Sequence, residues 1–303
     1  MNRKWTLLSA ALLSLSAVVA HAASTPFTRQ VPIGTQNRVL INNIAGSVAV
    51  SSWDRREVDV QGELESNVER VDVKTDNGFV DIKVVLKSWD RDRHGYDWGA
   101  GEARLKIRVP ADAQTEIETV SADVSLNGLR GRQRVRSVSG DIRSDSAGSD
   151  LELNSVSGNI DLTGSGAAVR LRAASVSGTV TLNHVGGDVE ARSVSGDLDI
   201  DLQGAVDVHA NVVSGDITLR GSLASEGDLE LSSVSGRVKV NAQAASGFNY
   251  DVNTFSGHIR NCFDREIELK DRSSGKRLTG TRGEGKASIR LKSHSGTLEL
   301  CDR

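Results

Sequence analysis

Several residue types that anchor compact domains are nearly missing from this sequence. The only Met is Met1, no Pro follows Pro110, and no Phe, Trp or Tyr occurs between Gly99 and Gly247. Aromatic side chains bury the largest area per residue in most protein cores. The middle of the chain must therefore form its core from Val, Leu, Ile and Ala, which argues against an ordinary globular domain.

The sequence also lacks a basic excess, a long apolar run and the usual marks of a reaction site. Lys and Arg total 37 against 40 Asp and Glu, and this mild acidity argues against a nucleic-acid partner. No segment after the N-terminus approaches the roughly 20 apolar residues of a membrane helix, so no transmembrane segment is expected in the mature chain. No pair of His or Cys residues has the spacing of a zinc site, and no serine can be matched with the His and Asp of a catalytic triad. We therefore expect no catalytic residue, no metal and no cofactor, and we expect that the protein is not an enzyme. The oligomeric state stays open.

The N-terminus reads as a targeting segment. Arg3 and Lys4 precede an apolar run from Leu7 to Ala20, which ends at the small-x-small tripeptide closing with Ala22. This pattern predicts a signal peptide over residues 1–22, with a retained anchor as the alternative. The mature protein is then exported, to the periplasm or to the cell surface and medium.

An internal repeat dominates the rest of the chain. Ser-Gly followed by one variable residue and then an aliphatic residue occurs eight times, with separations of 18, 20, 18, 19, 21, 21 and 39 residues. The copies begin at Ser139, Ser157, Ser177, Ser195, Ser214, Ser235, Ser256 and Ser295. Such a short, regular period is typical of stacked repeats.

The pattern within each repeat predicts an all-β, single-chain parallel β-solenoid (β-helix). Apolar residues alternate through Leu151 and Leu153 and again through Ile160 and Leu162, and their parity changes near Ser155, where the chain must bend. Two short strands cannot bury their apolar face alone, whereas stacked copies can. A propeller would need longer, aromatic-rich repeats, and a sandwich would not keep one motif in phase. Parallel crossover rules favour right-handed winding.

The ends of the chain differ from its middle. Residues 23–118 are expected to form an N-terminal capping β region with an insertion at 88–101. Residues 119–303 are expected to form the regular Ser-Gly solenoid, with a loop insertion at 263–283. Aromatic residues gather in both end regions, which predicts caps that close the core. These residues are Phe27, Trp53, Phe79, Trp89, Tyr96 and Trp98 at one end and Phe248, Tyr250, Phe255 and Phe263 at the other.

The two cysteines occupy the same phase of the repeat. Cys262 lies five residues after Gly257, and Cys301 lies five residues after Gly296. On neighbouring rungs their Cα atoms would be about 5 Å apart, within disulfide reach. The 39-residue spacing holds either two rungs or one rung with an insertion, and the charged segment after Cys262 favours the insertion.

Two groups of side chains could carry chemistry. Asp197 and Asp216 follow Ser-Gly on successive repeats and could form an acid/base pair or bind a cation, but a solvated turn explains them better. In the 88–101 insertion, Asp90, Asp92 and Gly95 match the first, third and sixth positions of a calcium loop, but Gly101 stands at the twelfth position, where Glu is needed. Its aromatic and acidic residues also suit sugar or peptide contact, and a solvated hairpin tip is the third interpretation. The candidate ligand contacts are Trp89, Asp90, Asp92, Tyr96, Asp97 and Trp98.

Several segments carry a family resemblance. Trp53-Asp54 followed by Glu57-Val58-Asp59-Val60, the repeated Val-Ser-Gly-Asp-Ile, and the run from Gly283 to Ile289 resemble the bacterial β-strand-repeat family of putative adhesins. That family is similar to head GIN autotransporter adhesin domains. The resemblance covers nearly all of the mature chain and implies an exported β-solenoid without established enzymatic activity.

Together these features favour a non-enzymatic adhesin or envelope binding and scaffold protein, whose partner would be a glycan or an envelope protein. The alternative is a periplasmic accessory factor in envelope maintenance or stress sensing. A polysaccharide-active β-helix enzyme is the third hypothesis.

Overall fold

The fold is all-β in a computed structural model that describes residues 24–76, 78–87, 101–146, 150–262, 270–272 and 275–302. Within these residues there are twenty strands and no helix, so none of the described chain forms a helix that could cross a bilayer. The strands of the N-terminal end are β1 (Thr25–Pro32), β2 (Arg38–Trp53), β3 (Glu57–Leu64), β4 (Val68–Asp76), β5 (Phe79–Leu86) and β6 (Ala103–Pro110).

The remaining strands belong to the repeats and to the C-terminal end. They are β7 (Gln114–Leu129), β8 (Gln133–Ser137), β9 (Ile142–Ser146), β10 (Asp150–Ser155), β11 (Ile160–Gly164), β12 (Ala168–Ser175), β13 (Val180–Ser193), β14 (Leu198–Ser214), β15 (Ile217–Ala244), β16 (Gly247–Thr254), β17 (His258–Asn261), β18 (Lys270–Arg272), β19 (Gly275–Gly283) and β20 (Ala287–Cys301).

Each repeat pairs in parallel and in register with the next, and we call one turn of the repeat a coil. Leu153 lies opposite Val135 on one side and Ala173 on the other, and Ile160 lies between Ile142 and Val180. Because equivalent positions stack, the inward residues form columns that are almost fully buried. The prediction of parallel, in-register repeats around an aliphatic interior is confirmed for these coils, and the fold is β-solenoid-like.

At the N-terminal end the first long strand lies inside the stack. Strand β2 pairs in parallel with β7 on one side and with β5 and β6 on the other. The outer edges are then covered by antiparallel strands, β3 on β6, β1 on β3 and β4 on β5. The parallel coils therefore end against antiparallel strands, which pair the backbone groups that an open edge would leave exposed.

At the C-terminal end the coils do not follow chain order. Strand β20 lies between β15 and the coil of β16 and β17, so that Ser235 is opposite Ser295, and β16 reaches β20 instead of β15. The expectation that each Ser-Gly unit lies directly over the preceding one is wrong here. Because every copy of the repeat has the same phase, the phase does not tell which of the last two coils lies next to β15. Strand β19 covers β16 in antiparallel pairing.

The aromatic residues near the C-terminal end divide between core and surface. Phe248 and Tyr250 on β16 are buried, with ring centroids 6.2 Å apart, and they close the aliphatic interior. Phe255 is 59% exposed and is not a cap, because it stands at the outward position of the corner. Its ring stacks on His294 of the neighbouring coil, with centroids 5.0 Å apart.

Candidate functional site

The corner of each regular coil is held by one serine and one glycine. The Ser155 Oγ accepts a hydrogen bond from the backbone N–H of Gly158 at 2.9 Å, and three other coils repeat this bond. A Cβ on Gly158 would lie 2.1 Å from the carbonyl oxygen of Gly140 on the preceding coil. The Ser-x-x-Gly spacing therefore turns the chain sharply and lets successive corners stack in contact.

The residue after Ser-Gly bonds to the next coil. The Asp197 Oδ1 accepts the backbone N–H of Asp216 at 2.8 Å, and the Asp216 Oδ1 accepts that of Arg237 at 2.7 Å. Asp141 and Asn159 are used in the same way. These side chains satisfy backbone donors at the corner, which favours the turn interpretation over an acid/base pair.

A column of alternating charge runs along the strand that enters each corner. Equivalent outward positions carry acid, base, acid and base on successive coils, and neighbouring members pair; Arg134 lies 2.7 Å from Glu152 and Arg172 lies 3.1 Å from Glu190. Partial burial would raise the pKa of Glu152, but the hydrogen bond and charge of Arg134 outweigh it and lower that pKa. The column is Glu116, Arg134, Glu152, Arg172, Glu190, His209, Glu230, Arg290 and Asp251. These pairs hold coils in register and leave no concentrated field of one sign.

A second column is apolar and exposed. The residue before each Ser-Gly points outward at the corner, and from Val120 to Val234 these valines are 42% to 50% exposed. Serine follows every one of them and is exposed as well. We call this column, with the serines beside it, the valine stripe. Its members are Ile44, Val120, Val138, Val156, Val176, Val194, Val213, Val234, His294 and Phe255.

The third feature is a shallow trough on the outward faces of β6, β2 and β7. Two adjoining cavities of about 480 Å³ and 380 Å³ share Ala49, Gln61 and Lys106, and their size is that of a ligand site. The trough exists because long basic side chains on β6 stand beside short side chains on β2 and β7. The basic wall is Arg104, Lys106 and Arg108, and the floor is Ser47, Ala49, Ser51, Ser125 and Asn127.

Lys106 is an uncompensated positive charge at the centre of this trough, and Glu63, at the far side of the second cavity, is a carboxylate that likewise makes no ion pair within the described residues. It stands opposite Gln61 on β3 and Ala49 on β2, both neutral. Arg104 pairs with Glu102 at 2.6 Å and Arg108 with Asp59 at 2.8 Å, whereas Lys106 makes no ion pair within the described chain. The centre of the trough therefore presents one free ammonium group above a floor of hydroxyl and amide groups.

The end of the wall is fixed by a buried carboxylate and an indole. Asp59 is 5% exposed and accepts hydrogen bonds from Arg108 and from Gln61, the latter at 3.0 Å. The Arg108 guanidinium also lies 4.8 Å from the Trp53 ring centroid, and the Trp53 indole N–H donates to the Glu57 carbonyl at 2.8 Å. Arg108 is thus oriented from two sides.

The predicted ligand contacts of the 88–101 insertion lie outside the described residues, and they stay a prediction: Trp89, Asp90, Asp92, Tyr96, Asp97 and Trp98. The structure joins Cys262 and Cys301 in a disulfide with Cα atoms 4.9 Å apart, as their common phase predicts. With Glu299 they are the only group in the described residues with metal-ligand proximity, and the disulfide occupies both sulfurs.

Sequence reasoning missed the trough and the valine stripe. The stripe had a visible signal, because Val recurs two residues before the glycine in six repeats, on the parity that faces away from the core. The trough had no such signal. It depends on the pairing of β2 with both β6 and β7, which no local pattern of the sequence shows.

Comparison with known proteins finds solved structures to which this chain is distantly similar. A putative lipid binding protein from Parabacteroides distasonis is 14% identical with a TM-score of 0.46, and 91% of this chain and 96% of that chain are covered. A putative adhesin from Bacteroides fragilis is 13% identical with a TM-score of 0.46, covering 92% and 98%. A putative adhesin from Parabacteroides merdae is 9% identical with a TM-score of 0.37, covering 91% and 96%. At these values the likeness says nothing about ligand or activity. No curated protein matches the chain.

A match to a family model shows which protein family the chain belongs to. The model described as Toastrack DUF4097 matches residues 37–242, which is more than half of the chain and reaches almost to the end of β15. The chain therefore belongs to the Toastrack DUF4097 family.

Proposed function

We propose that this chain is a non-enzymatic, exported binding protein of the adhesin or envelope-scaffold kind, which holds an acidic glycan in the trough. The observation that carries the proposal is Lys106, a free ammonium group at the centre of a trough with a polar floor. A carboxylate or phosphate on a sugar would pair with Lys106. The hydroxyl groups of the sugar would form hydrogen bonds with Ser51, Ser125 and Asn127.

Two further features support this proposal. The disulfide between Cys262 and Cys301 suits an oxidising compartment outside the cytoplasm. The carboxylates that could have served as an acid/base pair, Asp197 and Asp216, accept backbone hydrogen bonds. Right-handed winding of the parallel coils and the likeness to head GIN domains belong to the same proposal.

Binding of the mature protein to immobilised polygalacturonate, poly(glycerol phosphate) and neutral dextran tests it. We expect both anionic polymers to bind and dextran not to bind, with affinity falling as salt rises, because an exposed ion pair is screened. The two anionic arms separate a uronate from a phosphate ligand. Equal binding of all three polymers, or of none, contradicts the proposal.

A matched pair of variants locates the site. Lys106→Gln removes the central charge and is expected to weaken binding about tenfold, corresponding to about 1.4 kcal/mol. Lys83→Gln removes another exposed strand lysine, on β5 and outside the trough, and should bind as the wild type does. The same incubations should release no new reducing ends, and their appearance would favour the enzyme hypothesis instead.

A further inference from the structure

The valine stripe is a surface that the proposed function does not use. Nine of the ten large exposed hydrophobic residues in the described chain belong to it. Ten coils spaced by about 4.8 Å make it about 43 Å long. An apolar, uncharged line of this length on a strongly charged surface is typical of an interaction site.

The period of the stripe restricts what can cover it. Each valine is separated from the next by one coil spacing, and the serines beside them repeat at the same interval. A partner that contacts every valine in the same way must share this interval. A second copy of this chain has the same repeat and the same side chains, so that each coil can meet its own equivalent.

The columns on either side of the stripe carry opposite charge. Two positions before the valines, Arg136 and Arg192 stand out as bases, with Lys292 farther along. Three positions after them stand the acids Asp123, Asp141, Asp197 and Asp216, together with one base, Arg237. Arg136 and Asp141 lie on opposite sides of Val138, and Arg192 and Asp197 lie on opposite sides of Val194.

This arrangement selects one symmetry. A two-fold axis parallel to the stripe places the basic side of one copy against the acidic side of the other, coil opposite equal coil. Arg136 then faces Asp141 of the second copy and Arg192 faces Asp197, each twice by symmetry. One like-charged pair, Glu118 opposite Asp123, falls near the N-terminal end. An antiparallel pair would set each side against its own kind.

We propose that the valine stripe is the interface of a parallel, two-fold homodimer. The side chains from two positions before each valine to three positions after it span at most about 16 Å along the chain, so that a stripe about 43 Å long gives a footprint of at most about 700 Å² on each copy. The total of at most about 1,400 Å² stands in the lower part of the range for a specific interface. The dimer is therefore expected to be in exchange with the monomer, and to form at high local concentration.

Variants of the full mature chain with one added cysteine test the interface and its direction. Val138→Cys, Val176→Cys and Val213→Cys lie at three heights of the stripe. Val206→Cys is the matched control, because Val206 is equally exposed, at 48%, but lies off the stripe. Each variant is oxidised mildly and run on non-reducing gels, with intact mass confirming that the Cys262–Cys301 disulfide is retained.

In a parallel dimer, each of the three stripe variants forms a disulfide between two copies of the same variant, whereas Val206→Cys does not. Cross-linking of Val176→Cys alone would indicate an antiparallel pair and overturn the proposed symmetry. Cross-linking no faster than the control would overturn the interface itself. Sedimentation velocity adds a second readout, in which Val176→Lys should weaken dimerisation at least tenfold and Val206→Lys should not.

Discussion

Replacing Gly158 by Ala tests the stacking of corners directly. The added Cβ would lie 2.1 Å from the Gly140 carbonyl oxygen and 2.6 Å from its carbon, and real Cβ contacts essentially never fall below 3.0 Å. The obstacle is backbone on both coils, so no side chain can move aside. The Cβ must move from 2.1 Å to at least 3.0 Å from the Gly140 oxygen, so the two coils must separate locally by about 0.9 Å.

That separation would break a backbone hydrogen bond between the two coils. The bond from the Ser157 backbone N–H to the Val138 carbonyl oxygen measures 2.9 Å and would lengthen beyond hydrogen-bonding distance. A buried backbone group without a partner costs about 1–3 kcal/mol, and overpacking costs a similar amount. We expect Gly158→Ala to lower the free energy of unfolding by about 3 kcal/mol or more.

Gly204→Ala is the control for this experiment. Gly204 has φ +64° and no heavy atom within 4 Å of a built Cβ, so its replacement carries only the strain of a left-handed residue, about 1–2 kcal/mol. Urea unfolding followed by far-UV circular dichroism measures both variants. If Gly158→Ala proves no more destabilising than Gly204→Ala, the corners do not stack in contact and the reasoning fails.

Three further perturbations have definite expected results. Replacing Cys262 and Cys301 by Ser opens a 39-residue loop and should cost up to about 4 kcal/mol in urea unfolding; an unchanged midpoint would show that the disulfide does not tie the outermost coil. The lowered pKa of Glu152 means that its contribution to stability is present above about pH 4.5 and is lost as the pH falls through the lower, folded-state pKa. Glu152→Gln should therefore flatten the fall in unfolding free energy as the pH is lowered below about 4.5, and a slope equal to that of the wild type would contradict the pairing with Arg134. Ser155→Ala leaves a buried backbone N–H without its acceptor and should cost about 1–3 kcal/mol, measured as faster amide exchange at that corner; unchanged exchange would speak against the bond.

The repeat itself was within reach of sequence reasoning because it is a local pattern. Alternating Leu151 and Leu153, the bend at Ser155 and the fixed phase of the cysteines predict parallel stacking and the disulfide. Each follows from distances of a few residues along the chain, where side-chain parity and glycine placement have direct structural meaning.

The features that escaped prediction depend on which coils become neighbours. Lys106 is a free cation only because Gln61 and Ala49 lie opposite it, across pairings between residues far apart in the chain. The placement of β20 against β15 could not be read from phase, since Ser256 and Ser295 both match Ser235. The local period shows which positions can pair, and it does not show which of several equivalent coils become neighbours.

The position of β20 has a consequence for how the protein is made. A ribosome synthesises β16 and β17 before β20, so the outermost coil must wait for its native neighbour, and the free edge of β15 stays open meanwhile. Because β16 has the same repeat phase, it could occupy that edge as a decoy. A chain that stops before residue 287 would then form a shorter stack in which β16 lies against β15, a pairing that the complete fold does not have. Correct assembly at this end can therefore begin only after β20 has been synthesised.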